Sequence, residues 1–239
     1  MLDLTGKTCV VTGSTKGVGR AVAEALAKAG ANVVVSARTA SDVAEVAAEI
    51  DRGVRGRVKG TPADVSRVED CQNLIEMTVE EFGGLDILIN NAGIGVFKPI
   101  FDLSIEEWQL QVDTNLGGVF YCSKFAVPHL RASGGWIVNI GSLACRNAIP
   151  GGTGYNASKF GLLGMTEAMM LDVRDDGIRI SLIMPGSINT AFNDREPGPE
   201  RAWALQSEDC AAAVTHVLSY PENALVSRVE MRPSRPPKR

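Results

Sequence analysis

The chain has 239 residues, 45% of them apolar and 22% charged, with a formal net charge of −4. That balance suits a folded protein large enough to bury a substantial core, and it offers no broad basic field for nucleic acid or an anionic membrane. No apolar run reaches the length of a membrane span, and the opening MLDLTGKTCVV does not read as a signal peptide.

Apolar strand-like runs alternate with helical patterns almost to the end. Residues 7–12 predict a strand. Val18, Ala21, Val22, Ala25, Leu26 and Ala29 then recur at helical spacing, and Gly30 follows as a C-terminal cap. Residues 32–37 form a β-branched strand, 41–50 a short helix, and 57–61 a weaker strand. A helix over 66–82 closes on Gly83-Gly84, and DILIN (86–90) is a strand. Residues 104–130 carry one long helical pattern, broken near 113–118. GWIVNIG (135–141) is a strand, 153–174 a long helix, and IRISLIM (178–184) a strand. A helix over 207–218 has Ser207 as its N-cap, and 224–231 is the last strand.

Seven strands with helices between them predict one doubly wound parallel sheet, covered on both faces, of Rossmann type. Continuous apolar strands fit burial on both sides. Nothing divides the chain, so residues 1–239 read as a single domain with a basic, proline-rich tail at 232–239. Five cysteines, at 9, 71, 122, 145 and 210, form no CxxC pair. Their odd number suits small buried residues in a reducing cytoplasm, with no disulfide framework and no metal site. His129 and His216 stand far apart and read as structural or solvated.

Thr12 to Gly19 reads TGSTKGVG, directly after the first strand and opening a helix. The spacing fits neither the P-loop nor GxGxxG. A strand entering a glycine turn before a helix still presents free N–H groups to a pyrophosphate. Three glycines alone equally describe a plain strand-to-helix turn. In a doubly wound sheet ligands bind beyond the carboxyl ends of the strands. Small and polar groups collect there after every early strand: Ser36-Ala37-Arg38, Asp64-Val65, Asn90-Asn91-Ala92-Gly93, Gly141-Ser142 and Pro185-Gly186. Tyr155 and Lys159 stand four apart on one helix and so share a face. A nearby ammonium favours a phenolate, so this pair is expected to bring the phenol toward neutral pH.

Taken together, TGSTKGVG, NNAG (90–93), Asn115, Ser142, YNASK (155–159) and Pro185-Gly186 resemble, in order and near spacing, the short-chain dehydrogenase/reductase family over essentially the whole chain. The resemblance implies an NADP(H)- or NAD(H)-dependent oxidoreductase. Tyr155 is implied as the acid that protonates the substrate oxygen, and Ser142 as its hydrogen-bonding partner. Lys159 is implied to bind the nicotinamide ribose and depress the pKa of Tyr155. Asn115 is implied to hold a water that links Lys159 to solvent. For the dinucleotide the resemblance implies Gly13, Ser14, Thr15, Lys16, Gly17, Val18 and Gly19 in the loop, and Asp64 and Val65 at the adenine. It further implies Asn91, Ala92 and Gly93 in the cleft, then Pro185, Gly186, Ile188 and Thr190 on the nicotinamide side. Residues 187–206 are implied as a lid, whose shortness predicts an open pocket; Arg195 and Arg201 within it read as solvated.

The second strand ends without the acid that NAD enzymes place near the ribose 2′-hydroxyl. Arg38 and Lys16 instead favour NADP(H) over NAD(H). The expected substrate is a small carbonyl compound, a 3-oxoacyl compound or a relative, reduced to an alcohol. The C-terminal portion also resembles the 3-hydroxy-acid and serine dehydrogenase branch. A cofactor-binding sensor without catalysis is the alternative of another class. The resemblance further implies a homo-oligomer, tetramer or dimer, joined through the helices at 104–130 and 153–174.

Overall fold

A computed structural model describes residues 2–194 and 196–237. Its centre is one parallel sheet in the order β3-β2-β1-β4-β5-β6-β7. The strands are β1 (Thr8–Thr12), β2 (Asn32–Ser36), β3 (Val58–Gly60), β4 (Ile87–Asn90), β5 (Trp136–Ile140), β6 (Arg179–Pro185) and β7 (Arg228–Met231). The helices are α1 (Gly17–Lys28), α2 (Ala40–Asp51), α3 (Val68–Phe82), α4 (Ile105–Val112), α5 (Gly118–Ser133), α6 (Thr153–Val173) and α7 (Ser207–Leu218).

Two cores explain the unbroken apolar strands. Cys9, Val11, Val33 and Val35 face one side, against Val22 and Leu26 of α1 and Val214 of α7. Val10, Val34, Leu88 and Ile137 face the other, against Leu74 and Ile75 of α3 and Cys122 and Ala126 of α5. Successive residues point to opposite faces and both faces are buried, so these strands are mostly apolar and their few polar side chains, such as Asn90 and Asn139, are hydrogen-bonded inside. All five cysteines are free and buried.

The chain winds outward from β1 toward β3 and then, from β4, in the other direction. The crevice at that reversal is the switch point at which such sheets bind ligands. It lies between the loop after β1 and the loop after β4.

Several boundaries differ from expectation, each for a local reason. The helix expected at 66–82 starts at Val68, because the Asp64 carboxylate first captures the N–H and hydroxyl of Ser66. At the start of α7 the Asp209 carboxylate accepts from the Gln206 N–H at 2.8 Å, so Gln206 stands at the N-cap and Ser207 is the first helical residue. The last strand is shorter than 224–231, since Ala224 closes a turn on Pro221. The break expected at 113–118 is a widened π turn, Asp113–Gly117, through which α4 runs on into α5. Among the described residues no helix is long and apolar enough to cross a membrane.

Candidate active site

The loop after β1 is built from close approaches. Gly13 has φ +62°, and a Cβ there would lie 2.8 Å from the Cα of Ala92. Gly19 has no room for a Cβ either, being pressed against Asn91 and the Gly13 carbonyl. Asn91 donates its amide to the carbonyls of Thr12 and Gly13, both at 2.9 Å, while the Thr12 hydroxyl accepts from the N–H groups of Asn91 and Ala92. The loops after β1 and β4 are thus tied into one floor.

α1 begins at Gly17 with no side-chain cap, which leaves its first N–H groups free for an anion. Val18 is buried in the core, and Thr15 and Lys16 line the outside of the turn. Ser14 behaves differently from a ligand-binding serine. Its N–H donates to the Ser36 carbonyl, its hydroxyl donates to Val11 and accepts from the Ser36 N–H, and it is fully buried. Its part is to fasten the loop to β2.

Arg38 and Lys16 stand exposed beside this loop. Neither joins an ion pair among the described residues, unlike Arg20, which Glu24 and Glu49 hold. Val65, expected at the adenine, is buried against Gly118, where a Cβ would meet it at 2.8 Å. The Asp64 carboxylate is turned to Ser66.

Beyond β4, the π turn carries Asn115 inward until it is fully buried. Its Oδ1 accepts from the Ile94 N–H at 2.8 Å, and its Nδ2 donates to the Ile94 carbonyl and the Ser158 hydroxyl. Gly93 sits against the same amide, with room for a Cβ only 3.2 Å from Oδ1 and 3.8 Å from the Lys159 ammonium.

Tyr155 and Lys159 lie one turn apart on α6, both buried. Lys159 donates to the Ile140 carbonyl at 3.1 Å, and its Nζ is 5.9 Å from the Tyr155 ring centre. Burial pushes the phenol up to about 12, opposed by the Ser142 hydroxyl beside it. Burial also lowers the Lys159 ammonium below its ordinary value. This corrects the expected electrostatics: in the protein alone, desolvation of the phenol outweighs any help from Lys159, and Ser142 is the group that favours the phenolate. Ser142 itself is held by the Ala144 N–H at 3.1 Å.

The described part of the segment expected on the nicotinamide side is braced by its own hydrogen bonds. Ile188 pairs with Leu205, and Asn189 exchanges hydrogen bonds with Gly198. Arg201 donates to the Ile188 carbonyl at 2.9 Å, so it is a strut and not a solvated charge. Arg195 lies outside the described residues. Thr190 reaches across to Gly17, whose Cβ would lie 3.4 Å from its methyl. Pro185 ends β6, and Gly186 donates to Met231 of the last strand.

Three site features escaped the sequence reading. Phe97 and Phe192 flank Tyr155, with ring centres 5.1 and 5.9 Å away. Asn156, inside YNASK, clamps the loop after Ser142 by donating to the Ala144 and Asn147 carbonyls and accepting from Ile149. The neighbouring YxxxK spacing marked the place, but nothing in the sequence marked these partners.

The glycine floor, the uncapped helix and the Tyr155–Lys159 pair meet at one edge of the sheet. The model of the family described as short chain dehydrogenase matches residues 7–200. The chain belongs to this family. An uncharacterized oxidoreductase of Staphylococcus aureus (strain MRSA252) is 33% identical over 234 residues, 98% of this chain and all of that one. Glucose 1-dehydrogenase 2 of Bacillus subtilis (strain 168) is 39% identical over 194 residues, 80% of this chain and 75% of that one. Among solved structures, an alcohol dehydrogenase from the archaeon Thermococcus sibiricus, complexed with 5-hydroxy-NADP, superposes with a TM-score of 0.91 at 28% identity, covering 98% and 99% of the two chains. A metagenomic short-chain oxidoreductase in complex with NADP reaches 0.85 at 30% identity, with the same coverage. This short-chain dehydrogenase is therefore an oxidoreductase of Rossmann-type fold, and its cradle fits NADP.

Proposed function

We propose that this short-chain dehydrogenase reduces a ketone, a 3-oxoacyl compound or a related small carbonyl, to a secondary alcohol with NADPH. The observation that carries the reading is the buried Tyr155–Lys159 pair beside Ser142, at the same sheet edge as the glycine loop. The cradle fits a dinucleotide because α1 opens uncapped directly after a glycine turn that is packed against the loop after β4. When bound, the reduced nicotinamide supplies two electrons as hydride to the carbonyl carbon.

The chain's own residues do the rest. Ser142 donates to the substrate oxygen and orients it. Tyr155 keeps its proton through neutral pH, because burial favours the neutral phenol, and so meets the substrate as a donor. Its O–H bond breaks as the substrate O–H bond forms. Lys159 holds the ribose hydroxyls and returns a proton toward Tyr155. Asn115, whose amide is engaged by Ile94 and Ser158, holds a water that links Lys159 to solvent. Arg38 and Lys16, exposed and free of ion pairs among the described residues, receive the 2′-phosphate, which supports NADPH over NADH. Residues 187–206 close over the substrate side. The protein works as a cytoplasmic homo-oligomer.

The test is Tyr155→Phe. We expect turnover to fall by about 10²–10⁴-fold, the usual worth of a positioned acid, with NADPH binding retained in a fluorescence titration. Undiminished turnover removes Tyr155 from the mechanism.

A further inference from the structure

We infer that the substrate is a neutral aryl ketone, whose ring lies against Phe97 and Phe192. This rests on the reading of Tyr155 as the acid.

Two rings from separate segments converge on the phenol. Phe97 comes from the loop after β4 and Phe192 from the segment after β6. Each is tilted to Tyr155, by 54° and 55°. Gly95 makes the convergence possible, since a Cβ there would lie 2.8 Å from the Phe97 ring and 2.9 Å from the Phe192 ring. Phe97 is held on both sides: Val96 donates its N–H to Gln111 Oε1 at 2.9 Å, and Lys98 donates its own to the Gly151 carbonyl at 2.8 Å. The main chain on either side of Phe97 is therefore fixed. Tilted aromatic neighbours at these distances favour a further flat ring beyond what its buried area alone contributes.

Charge and polarity argue the same way. Lys98 is neutralised by Glu107, and Arg146 by Glu230. Each of these two cations already has a carboxylate partner. The two phenylalanine rings offer no hydrogen-bonding atom to the hydroxyls of a sugar. A ketone bearing a phenyl group places its one polar atom at Ser142 and Tyr155 and its ring on the wall. In the reaction the C=O π bond breaks and C–H and O–H bonds form. The hydride comes from NADPH, which becomes NADP⁺, and the proton from Tyr155 is replaced from solvent.

The experiment compares initial rates on acetophenone, 2-butanone and levulinate with the full chain and NADPH. We expect kcat/KM for acetophenone to exceed the other two by about tenfold or more. Phe97→Leu and Phe192→Leu keep apolar volume but remove the ring, and each should lower the acetophenone-to-butanone ratio by about threefold or more. Benzamide, an unreactive amide of the same shape, should bind the protein with NADP⁺ about tenfold more tightly than acetamide by calorimetry. Equal rates on acetophenone and butanone, or ratios unmoved by both leucine variants, overturn the inference. If no ketone is reduced, the reading of the site as a ketone reductase falls. Benzamide then decides the aryl wall separately: tight binding upholds it and equal binding of the two amides overturns it.

Discussion

Tyr155 illustrates how residue-scale chemistry depends on solvent. A phenol beside an ammonium is expected to ionise easily, but here both groups are buried, and burial penalises each charged form. The folded phenol titrates at about 12 against an ordinary 10, so folding favours its protonated form. That contribution is complete below pH 10 and is lost as pH rises from 10 toward 12. Lys159 acts in the opposite sense, since its lowered value means that the folded protein gains as that ammonium deprotonates. In the proposed reading, Arg38 pairs with the 2′-phosphate and so sets cofactor choice. Arg38→Asp replaces the phosphate-pairing guanidinium by a carboxylate that repels a 2′-phosphate. We expect the NADPH-to-NADH ratio of kcat/KM to fall by at least tenfold, from the loss of a charge-assisted bond of about 1.5–3 kcal/mol. Steady-state rates with both dinucleotides check this, and an unchanged ratio shows that Arg38 does not read the phosphate.

At the scale of elements, β4 and β5 are joined by more than their backbone ladder. Asn90 lies opposite Asn139 in the register and donates to it at 2.9 Å. Asn90 also donates to Ser123 of α5, and Asn139 to Thr166 of α6. A buried polar chain thus runs along one face of the sheet and links the two helices that cover it there. Asn139 has no exposed surface, so removing its amide strips bonds that water cannot replace. Asn139→Ala should destabilise the protein by about 2–3 kcal/mol, read as a lower urea midpoint. A change under about 0.5 kcal/mol would make the chain incidental. α4 and α5 show another use of an element: the π turn between them turns Asn115 inward without ending the helix.

For the whole molecule, the exposed apolar residues of the helices around the site are the open question of assembly. Ile105, Trp108 and Leu110 on α4, Phe120 on α5, and Phe160 and Leu171 on α6 all present substantial surface to solvent. Large exposed apolar groups concentrated on a few helices mark interaction surfaces. The proposed homo-oligomer covers them. Sedimentation should give a species of two or four chains, and Phe120→Asp together with Phe160→Asp should shift it to the monomer. A wild-type monomer at micromolar concentration removes the proposal. The site itself is assembled within one chain, so the dissociated form is a fair test of whether assembly matters for turnover.

The sequence by itself determined the strand–helix alternation, the parallel class, the turn at TGSTKGVG and the edge at which the chemistry collects. Those are local properties: strands buried on both faces read as largely apolar runs, glycine readily adopts φ +62° at position 13, and YxxxK sets two groups on one helical face. It also marked the disturbance at 113–118, though as a break and not as a π turn. Only the tertiary structure decided how those groups behave. Burial sets the Tyr155 phenol, and a neighbouring strand consumes the hydrogen bonds of Ser14. A carbonyl 13 residues earlier turns Arg201 from surface charge to strut. Phe97 and Phe192, 95 residues apart, meet at Tyr155 only because the sheet brings the ends of β4 and β6 to one edge. Propensity and spacing act over a few residues, whereas desolvation and hydrogen-bond competition depend on which distant segments arrive beside each group.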